Sequence, residues 1–307
     1  MEITMKRLPW PLYFFKYYIE SRFLGKQSPI LGGYKITNLC NMECIHCPFW
    51  KRQDKTDLTL KEIREKLKEL YQYGVRILII EGGEPFLWKD NGYCLDDVVK
   101  EAKRLFYSVG ITTNGTFPLE IDSDAIWVSI DGLRETHDAI RGESFDKIIK
   151  NIEKSSHPNI LANITINSRN CNELESLVPF LSTKVKGITI QFHYPYERID
   201  ELFIPLEKRK KVLDNLIKLK EEGYPLMDSV SCLNALKNNR WKCHDWMIAN
   251  MEPDGEINLG CYVKKRGEVN CENCGFAAHT EISLAFDLKF SPILVGKRVF
   301  RYRTPHI

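Results

Sequence analysis

From residue 33 onward, short aliphatic runs alternate with amphipathic segments, and this alternation limits the fold more than any other feature of the chain. Strands are predicted over 34–39, 75–81, 109–113, 125–130, 160–166 and 187–193. Helices are predicted over 59–73, 95–107, 145–154, 172–181 and 205–222. Repeated strand–helix units of this size imply parallel strands joined by right-handed crossovers. Because these strands are too few for a full eight-stranded barrel, we predict an α/β fold with a partial (β/α)6 TIM-like barrel.

The chain is long enough, at 307 residues, for one large domain with an appendage. Its formal net charge is only +3, which gives no strong signal for a nucleic-acid surface. Beyond residue 240 the regular alternation ends, and Cys, Gly, Asn and Asp interrupt short segments. We therefore predict an N-terminal apolar and aromatic helix over 1–32, a core barrel over 33–225, a metal-binding subdomain over 226–280 and a C-terminal tail over 281–307.

The chain contains ten cysteines, and most of them fall into two groups. Grouped cysteines in a chain of this size are typical of metal ligands rather than of a disulfide framework. The N-terminal residues lack the aliphatic core and small-residue cleavage site of a secretory leader. We therefore expect a reducing, cytoplasmic setting.

Residues 8–24 are rich in aromatic side chains but are interrupted by Pro11, Lys16, Glu20 and Arg22. No uninterrupted apolar run approaches the ~20 residues that a membrane-spanning helix needs. The segment fits a helix that docks on the protein's own core, and it also fits a helix lying on a membrane surface. We favour the docked helix and keep peripheral membrane contact through the N-terminus as the alternative.

The first cysteine group places Cys40, Cys44 and Cys47 within eight residues, in the loop after the first predicted strand. Complete ligation of a four-iron cluster takes four cysteines, so three leave one iron open to bind a small molecule. A zinc site with His46 as fourth ligand and a chance grouping are the alternatives. His46 directly precedes Cys47, which makes it hard for both side chains to reach the same metal.

This C-x3-C-x2-C spacing after the first strand of a β/α array resembles the radical S-adenosylmethionine (SAM) superfamily. The sequence GGEP at 82–85 follows the second strand, where that family keeps a GGEP motif, and TNGT at 113–116 follows the third. The segment 126–141 is similar to the fourth-strand segment of peptide-modifying members. Each motif stands at the carboxyl end of a predicted strand, where barrel active sites lie.

The resemblance implies a [4Fe–4S] cluster on the three cysteines and SAM bound to the open iron. It implies that the cofactor-binding residues are His46, Gly82, Gly83, Glu84, Pro85, Asn114, Ser129, Asp131 and Arg141. Among them, the 82–85 backbone would hold the amino group of SAM, and Ser129, Asp131 and Arg141 would lie near its carboxylate or ribose. His46 occupies the position where the family favours an aromatic residue beside the adenine. A reductant protein such as a ferredoxin or flavodoxin would supply the electron.

The second cysteine group consists of Cys243, Cys261, Cys271 and Cys274, with a predicted hairpin turn over 254–261. It resembles the Twitch extension, which is related to the longer SPASM domain and binds an auxiliary [4Fe–4S] cluster. We therefore predict a small C-terminal iron–sulfur-binding subdomain. A structural zinc site with four cysteine ligands is the alternative, since the same residues suit either metal.

These features predict an enzyme that cleaves SAM reductively to a 5′-deoxyadenosyl radical and abstracts hydrogen from its substrate. The resemblance favours a peptide, an amino-acid-derived molecule or a small metabolite as that substrate. One alternative is a radical SAM enzyme acting on an isoprenoid or other lipid at the membrane surface, because both ends of the chain are aromatic and basic. Another is a non-catalytic iron–sulfur or zinc protein.

Overall fold

A computed structural model describes residues 8–52, 57–196 and 198–305, so the predicted segments 1–32 and 281–307 each extend beyond the described part. The strands are β1 Leu31–Lys35, β2 Ile77–Glu81, β3 Ser108–Thr113, β4 Ala125–Ser129, β5 Ile160–Ile166, β6 Gly187–Phe192, β7 Ile248–Met251 and β8 Ile257–Leu259. They form one sheet in the order β6-β5-β4-β3-β2-β1-β7-β8. Neighbouring strands are parallel except for the antiparallel pair β7 and β8. The predicted α/β fold is confirmed.

The helices are α1 Trp10–Phe23, α2 Leu60–Tyr73, α3 Leu95–Lys103, α4 Arg134–Arg141, α5 Phe145–Lys154, α6 Leu174–Ser182, α7 Leu206–Glu221, α8 Val230–Leu236, α9 Ala277–Phe286 and α10 Phe290–Val299. The predicted capping box at the start of α2 is present, with Thr59 and Glu62 each accepting a backbone N–H of the other. Gly74 ends the helix at φ 118°, a conformation that favours glycine. Local sequence signals therefore determine where this helix begins and ends.

Alternate side chains of each strand face opposite sides of the sheet. On the outer side, Tyr34, Leu78 and Ile111 are fully buried and pack in one large core with the helices. On the inner side, the amino ends of the strands are apolar, and Trp127 fills the space beside Gly110. Toward the carboxyl ends the inner side becomes polar, with Lys35, Glu81, Thr112, Asn163 and Gln191. The barrel interior is therefore apolar at the amino ends of the strands and polar at their carboxyl ends.

Helix α1 docks against the amino ends of the strands, as the favoured interpretation of residues 8–24 predicts. Tyr17 is buried beside Leu31 and Ile77, and its hydroxyl donates to the Ser28 carbonyl at 2.7 Å. The opposite side of the helix remains exposed, including Leu12 and Phe15. Among the described residues, no helix is both long and apolar enough to cross a membrane.

The structure corrects one prediction about a strand and adds a strand. β1 ends at Lys35 rather than at residue 39, because Thr37 turns its carbonyl and hydroxyl to the N–H groups of Gly83 and Leu39. All six predicted barrel strands are present, and the unpredicted strand β7 pairs with β1 and extends the parallel sheet. The predicted hairpin is confirmed as β7–β8. The cysteine-rich region therefore shares the barrel's sheet, and the domain boundaries at 32, 225 and 280 stay predictions.

Five helices differ from the sequence-based expectation: α8, α9 and α10 lie beyond residue 226, where no helix was predicted, and α3 and α4 differ within the barrel. α3 ends at Lys103 rather than near residue 107, because Phe106 and Tyr107 are buried in the turn that leads into β3. α4 was not predicted, and it forms inside the segment that carries the fourth-strand motif. This helix delivers Arg141 to the carboxyl end of the sheet, which gives it a direct bearing on the site.

Candidate functional site

The loop after β1 carries all three cysteines of the first group. Cys44 is buried, and Cys40 and Cys47 are half-buried. The loop turns tightly, with the Cys47 N–H donating to the Cys44 carbonyl at 3.1 Å. Ile45 donates its N–H to the carbonyl of Ile140 at 3.0 Å, which ties the loop to α4. The three thiols therefore project from one loop that is fixed at the carboxyl edge of the sheet.

Gly82 and Gly83 lie directly against the start of this loop. The Gly83 N–H donates to the Thr37 carbonyl at 2.7 Å, and the Glu84 N–H donates to the Leu39 carbonyl at 2.7 Å. A Cβ atom at Gly82 would stand 2.7 Å from the Thr37 oxygen, and one at Gly83 would overlap the Leu39 oxygen. The two glycines are therefore required by the close approach of the cysteine loop.

Glu84 is fully buried at the same edge and connects the second strand to the third. Its carboxylate accepts the Thr113 hydroxyl at 2.8 Å, the Asn114 N–H at 2.7 Å and the Phe86 N–H at 3.2 Å. Burial raises its pKa to about 7, although these hydrogen bonds favour the charged form. Pro85 starts a short 3-10 turn that carries the chain away from the site. Glu84 thus holds the TNGT loop against the GGEP loop.

An amide network joins the TNGT loop to the cysteine loop. Asn114 Nδ2 donates to Asn41 Oδ1 at 2.8 Å, and Asn41 Nδ2 donates to Thr116 Oγ1 at 2.9 Å. The Asn114 side-chain oxygen accepts the Thr116 N–H at 2.9 Å. The first three sequence motifs are therefore joined by hydrogen bonds into one structural unit.

The fourth motif contributes a buried ion pair next to the thiols. Arg141 Nε lies 2.6 Å from Asp131 Oδ2, and Arg141 Nη1 lies 3.8 Å from the Cys44 sulfur. His46 Nε2 lies 3.8 Å from the same Asp131 oxygen. Ser129 ends β4 two residues before Asp131. The structure thus brings Cys44, His46, Asp131 and Arg141 together at one end of the barrel.

The electrostatics of this cluster follow from burial and from Arg141. Burial is the largest single influence and favours a neutral Asp131, but Arg141, His46 and the Thr165 N–H together outweigh it and lower the carboxyl pKa. Burial, followed by Arg141, lowers the pKa of His46 to about 3, so its imidazole is neutral. The ring is therefore an uncharged, polar surface beside the cysteine loop. Contact between these residues and SAM stays a prediction.

The donor set fits an iron–sulfur cluster. Burial raises the pKa of Cys40 to about 11 and also raises that of Cys44. Such thiols hold their protons at neutral pH, and a metal must displace those protons when it binds. Thiolates suit iron clusters and zinc better than magnesium or calcium. Arg141, beside Cys44, offers a positive charge to the anionic centre that three thiolates create.

The second cysteine group gathers next to the end of β6. The pKa of Cys274 is raised to about 11, mainly by burial and to a smaller extent by Cys261 and Cys271. These thiols are therefore within electrostatic range of one another. Burial and then Cys274 raise the pKa of Cys243 to about 12. The loop is anchored to β6, because the Phe192 N–H donates to the Gly275 carbonyl at 3.0 Å. All four predicted ligands therefore meet in one region.

The spacing of these thiols bears on which metal they suit. In the described part of the chain, the one set of three or more potential ligands whose donor atoms all lie within 4.8 Å of one another is Asp228, Cys232 and Glu281. A single zinc ion with bonds of about 2.3 Å would bring its sulfur ligands within about 4 Å of one another. Among the described residues neither cysteine group meets that 4.8 Å spacing, and the metal held by the second group stays a prediction.

Several residues of the site were not predicted from the sequence. Asn41 and Thr113 sit inside recognised motifs, yet only the fold shows which partners they bind. Arg209 lies on α7, far along the chain, and donates to the Cys274 carbonyl at 2.6 Å. Lys35 and Arg266 are buried at the polar end of the barrel. No local pattern marks these last three residues.

Comparison with known families agrees with this parallel α/β sheet and its three-cysteine loop. Residues 34–167, somewhat under half of the chain, match the radical SAM superfamily, and residues 188–272 match a domain of unknown function, DUF3463. Members of the radical SAM superfamily are enzymes that use a [4Fe–4S] cluster and SAM, and the matched residues include Cys40, Cys44 and Cys47. The second match includes Cys243, Cys261 and Cys271 and ends just before Cys274.

Curated relatives are distant and longer than the matched region. The chain is 25% identical to the Fe-coproporphyrin III synthase of Methanosarcina barkeri over 66% of its own length and 55% of that protein. It is 28% identical to the sporulation killing factor maturation protein SkfB of Bacillus subtilis over 50% of its own length and 40% of that protein. The chain thus spans about half the length of these relatives.

A solved structure shows the same fold. Streptococcus suis SuiB bound to precursor peptide SuiA superposes with a TM-score of 0.64 at 15% sequence identity. The superposition covers 98% of this chain and 74% of SuiB. At this level of identity the likeness concerns the fold, and it extends beyond the barrel into the C-terminal region.

We predict that Gly83→Ala impairs loading of the first cluster. The added methyl group overlaps the Leu39 carbonyl oxygen, so the cysteine loop must move. Iron bound per chain after anaerobic reconstitution should fall by about a third to a half, while the far-ultraviolet circular dichroism remains that of the wild type. Gly92→Ala is the control, because it strains the backbone at φ 92° while its Cβ atom meets nothing within 4 Å, so it separates backbone strain from overlap with the cysteine loop. Equal iron in the two variants would contradict the packing role of Gly83.

We predict that Glu84 makes the metal-free protein less stable as the pH rises. Its folded pKa of about 7 lies above its ordinary value of 4.5, so the stabilisation is complete below pH 4.5 and is lost as the pH rises toward 7. The loss amounts to about 3 kcal/mol. Urea unfolding at pH 5 and pH 8 should show a smaller decline for Glu84→Gln than for the wild type. Parallel declines in the two proteins would refute the assignment.

Proposed function

We propose that this chain is a radical SAM enzyme that cleaves SAM reductively and abstracts hydrogen from a polar organic substrate. The observation that carries the proposal is the joining of all four motifs at one carboxyl edge, through the contacts of Gly83, Glu84 and Arg141 with the cysteine loop and its neighbours. Cys40, Cys44 and Cys47 would hold a [4Fe–4S] cluster, which would provide the electron needed for reductive cleavage of SAM.

The chain's own residues have separate tasks in this proposal. The buried pair of Asp131 and Arg141 presents a fixed cation to the carboxylate of SAM, and the 82–85 loop receives its amino group. His46 provides a neutral ring near the adenine. Burial around Cys44 keeps water from the reactive radical. Ser129 and Asn114 complete the predicted set at the ends of β4 and β3.

The polar end of the barrel interior, at the carboxyl ends of the strands, supports a substrate with hydrogen-bonding groups. Thr189 donates to Asn163 Oδ1 at 3.1 Å, and Gln191 donates to Thr165 Oγ1 at 3.2 Å, both on the inner side of the sheet. SkfB is a peptide maturation protein, and the SuiB structure contains a precursor peptide. A peptide or amino-acid-derived substrate therefore agrees with the relatives better than a hydrocarbon does. A ferredoxin or flavodoxin would serve as reductant in a cytoplasmic setting.

A second [4Fe–4S] cluster on Cys243, Cys261, Cys271 and Cys274 belongs to this proposal as a Twitch-like auxiliary site. Arg209 supports it, because two nitrogens of this fully buried side chain, Nε and Nη2, have no hydrogen-bond partner among the described residues. Its third nitrogen already binds the Cys274 carbonyl. The sulfur atoms of an anionic cluster would accept the remaining donors. Zinc remains the alternative metal.

We predict that anaerobic reconstitution gives about eight irons per chain, about four for each cysteine group. Replacing Cys40, Cys44 and Cys47 by Ala should remove half the iron and all 5′-deoxyadenosine formed with dithionite and SAM. Replacing Cys271 and Cys274 by Ala should remove the other half of the iron. Cys94→Ala and Cys171→Ala are matched controls outside both groups, and their iron should equal that of the wild type.

The outcomes separate the remaining interpretations. Zinc on the second group would leave the catalytic proposal standing and make that group a structural site. A fully loaded first cluster with no SAM cleavage would make the chain a non-catalytic iron–sulfur protein. Absence of iron from the first three cysteines would refute the proposal.

A second candidate is action on a lipid at the membrane surface, and one observation favours it. Leu12, Phe15 and Phe23 on α1 are 57%, 67% and 69% exposed, and Phe290 at the start of α10 is 72% exposed. Both helices lie at the apolar end of the barrel. There Phe14 of α1 packs edge-on against Tyr302, which follows α10 in the chain. Exposed aromatic side chains with basic neighbours are typical of interfacial helices.

We predict for this candidate that the reconstituted protein pellets with vesicles containing anionic phospholipid. The triple variant Leu12→Ser, Phe15→Ser, Phe290→Ser should lose most of that binding, because it removes the apolar contact area. Tyr93→Ser is the control, since Tyr93 is 44% exposed in a different part of the molecule. A wild-type protein that stays in the supernatant would remove the lipid candidate.

A further inference from the structure

The Lys35 side chain points into the barrel, and no acceptor in the described part of the chain forms a hydrogen bond with its ammonium group. It shares the inner side of β1 with Gly33, whose built Cβ atom would lie 3.9 Å from Glu81 Oε1. The Lys35 side chain is 1% exposed, and Nζ has no hydrogen-bond partner among the described residues. Three buried donors on a cation are costly unless an acceptor reaches them.

Phe49 fixes the position of this ammonium group. Nζ lies 3.6 Å from the centroid of the Phe49 ring, close enough for a cation–π interaction. The ring is itself held edge-on by Tyr196, with centroids 5.0 Å apart. A ring face attracts the cation but accepts none of its N–H groups as a carboxylate would. Lys35 is therefore oriented, while its strong hydrogen-bonding capacity remains available.

The neighbouring carboxylates are already engaged by a second cation. Arg266 Nε lies 2.7 Å from Glu252, and Arg266 Nη1 lies 3.2 Å from Glu81. The Arg266 side chain is fully buried against the Tyr262 ring, and its Nη2 also has no partner among the described residues. Two buried cations with free donors thus lie at the same polar end of the barrel.

This pair of cations lies between the two cysteine groups. Phe49, under Lys35, is two residues after Cys47, and Tyr262, under Arg266, directly follows Cys261. A substrate that enters the barrel between the two groups would pass these donors. Glu81 and Glu252 form ion pairs with Arg266, and among the described residues neither pairs with Lys35, so its ammonium group can accept one further negative charge as a partner.

We propose that Lys35 binds a carboxylate of the substrate, with Arg266 Nη2 as an auxiliary donor. The proposal rests on the proposed function, since it names the chemical class of the molecule on which the enzyme acts. Lys35 donates to the carboxylate from above the Phe49 ring, and Arg266 is held in place for the second contact by its two acidic partners. The carboxylate thereby anchors the substrate between the cysteine groups.

The test is thermal unfolding of the anaerobically reconstituted full chain with SAM present at pH 7. Acetate is the probe, compared with phosphate and chloride at equal ionic strength. Acetate at ten times its dissociation constant should raise the melting temperature of the wild type by about 3 °C. Lys35→Met should abolish this rise, and Lys51→Met, which removes an exposed lysine two residues after Phe49, should retain it. Lys35→Gln replaces the Met variant if that variant does not fold.

Three results would overturn the proposal. An undiminished acetate effect in the Lys35 variants would show that the carboxylate binds elsewhere. A phosphate effect without an acetate effect would contradict the carboxylate assignment. A changed midpoint potential of the first cluster in Lys35→Met, with the acetate effect intact, would assign Lys35 to the cluster charge instead. A different result separates this proposal from the proposed function. If acetate stabilises the wild type but not Lys35→Met, and the wild type does not cleave SAM, the carboxylate site stands and the proposed function is refuted.

Discussion

The contact between the GGEP backbone and the cysteine loop is the constraint on which the site depends. At Gly82 and Gly83, two strands' ends approach so closely that no side chain fits between them. Hydrogen bonds to Thr37 and Leu39 then fix the loop that carries the thiols. The motif therefore has a structural role as well as a proposed role in binding. The same backbone that is proposed to contact SAM also positions the cysteine loop.

Buried charge is the second organising element of the barrel's polar end. Asp131 and Arg141 compensate each other, and Glu84 is stabilised by three donors from neighbouring loops. Arg209 and Lys35 keep donors without partners in the described chain. Fully satisfied groups hold the loops together, whereas the unsatisfied ones indicate where bound groups belong.

Much of the fold and part of the site were predictable from the sequence. Five of the six strand runs and the α2 capping box are local signals that were read correctly, and the three cysteines of the first group share one loop, as their spacing requires. β7 was missed because a four-residue strand within an irregular region pairs with β1 through contacts that no local pattern records. Arg209 and Lys35 were missed for the same reason, since a buried cation has meaning only beside its distant neighbours.

The pairing of β7 with β1 also bears on how the protein is made. β1 spans Leu31–Lys35, while its partner β7 begins at Ile248, so one side of β1 waits for most of the chain to be synthesised. An unpaired strand edge next to a thiol-bearing loop is open to wrong pairing during that time. The contact is also among the most distant in sequence within the sheet, and such contacts form slowly. Synthesis of Cys261, Cys271 and Cys274 therefore follows that of β7, the strand that covers the free side of β1 next to the first group.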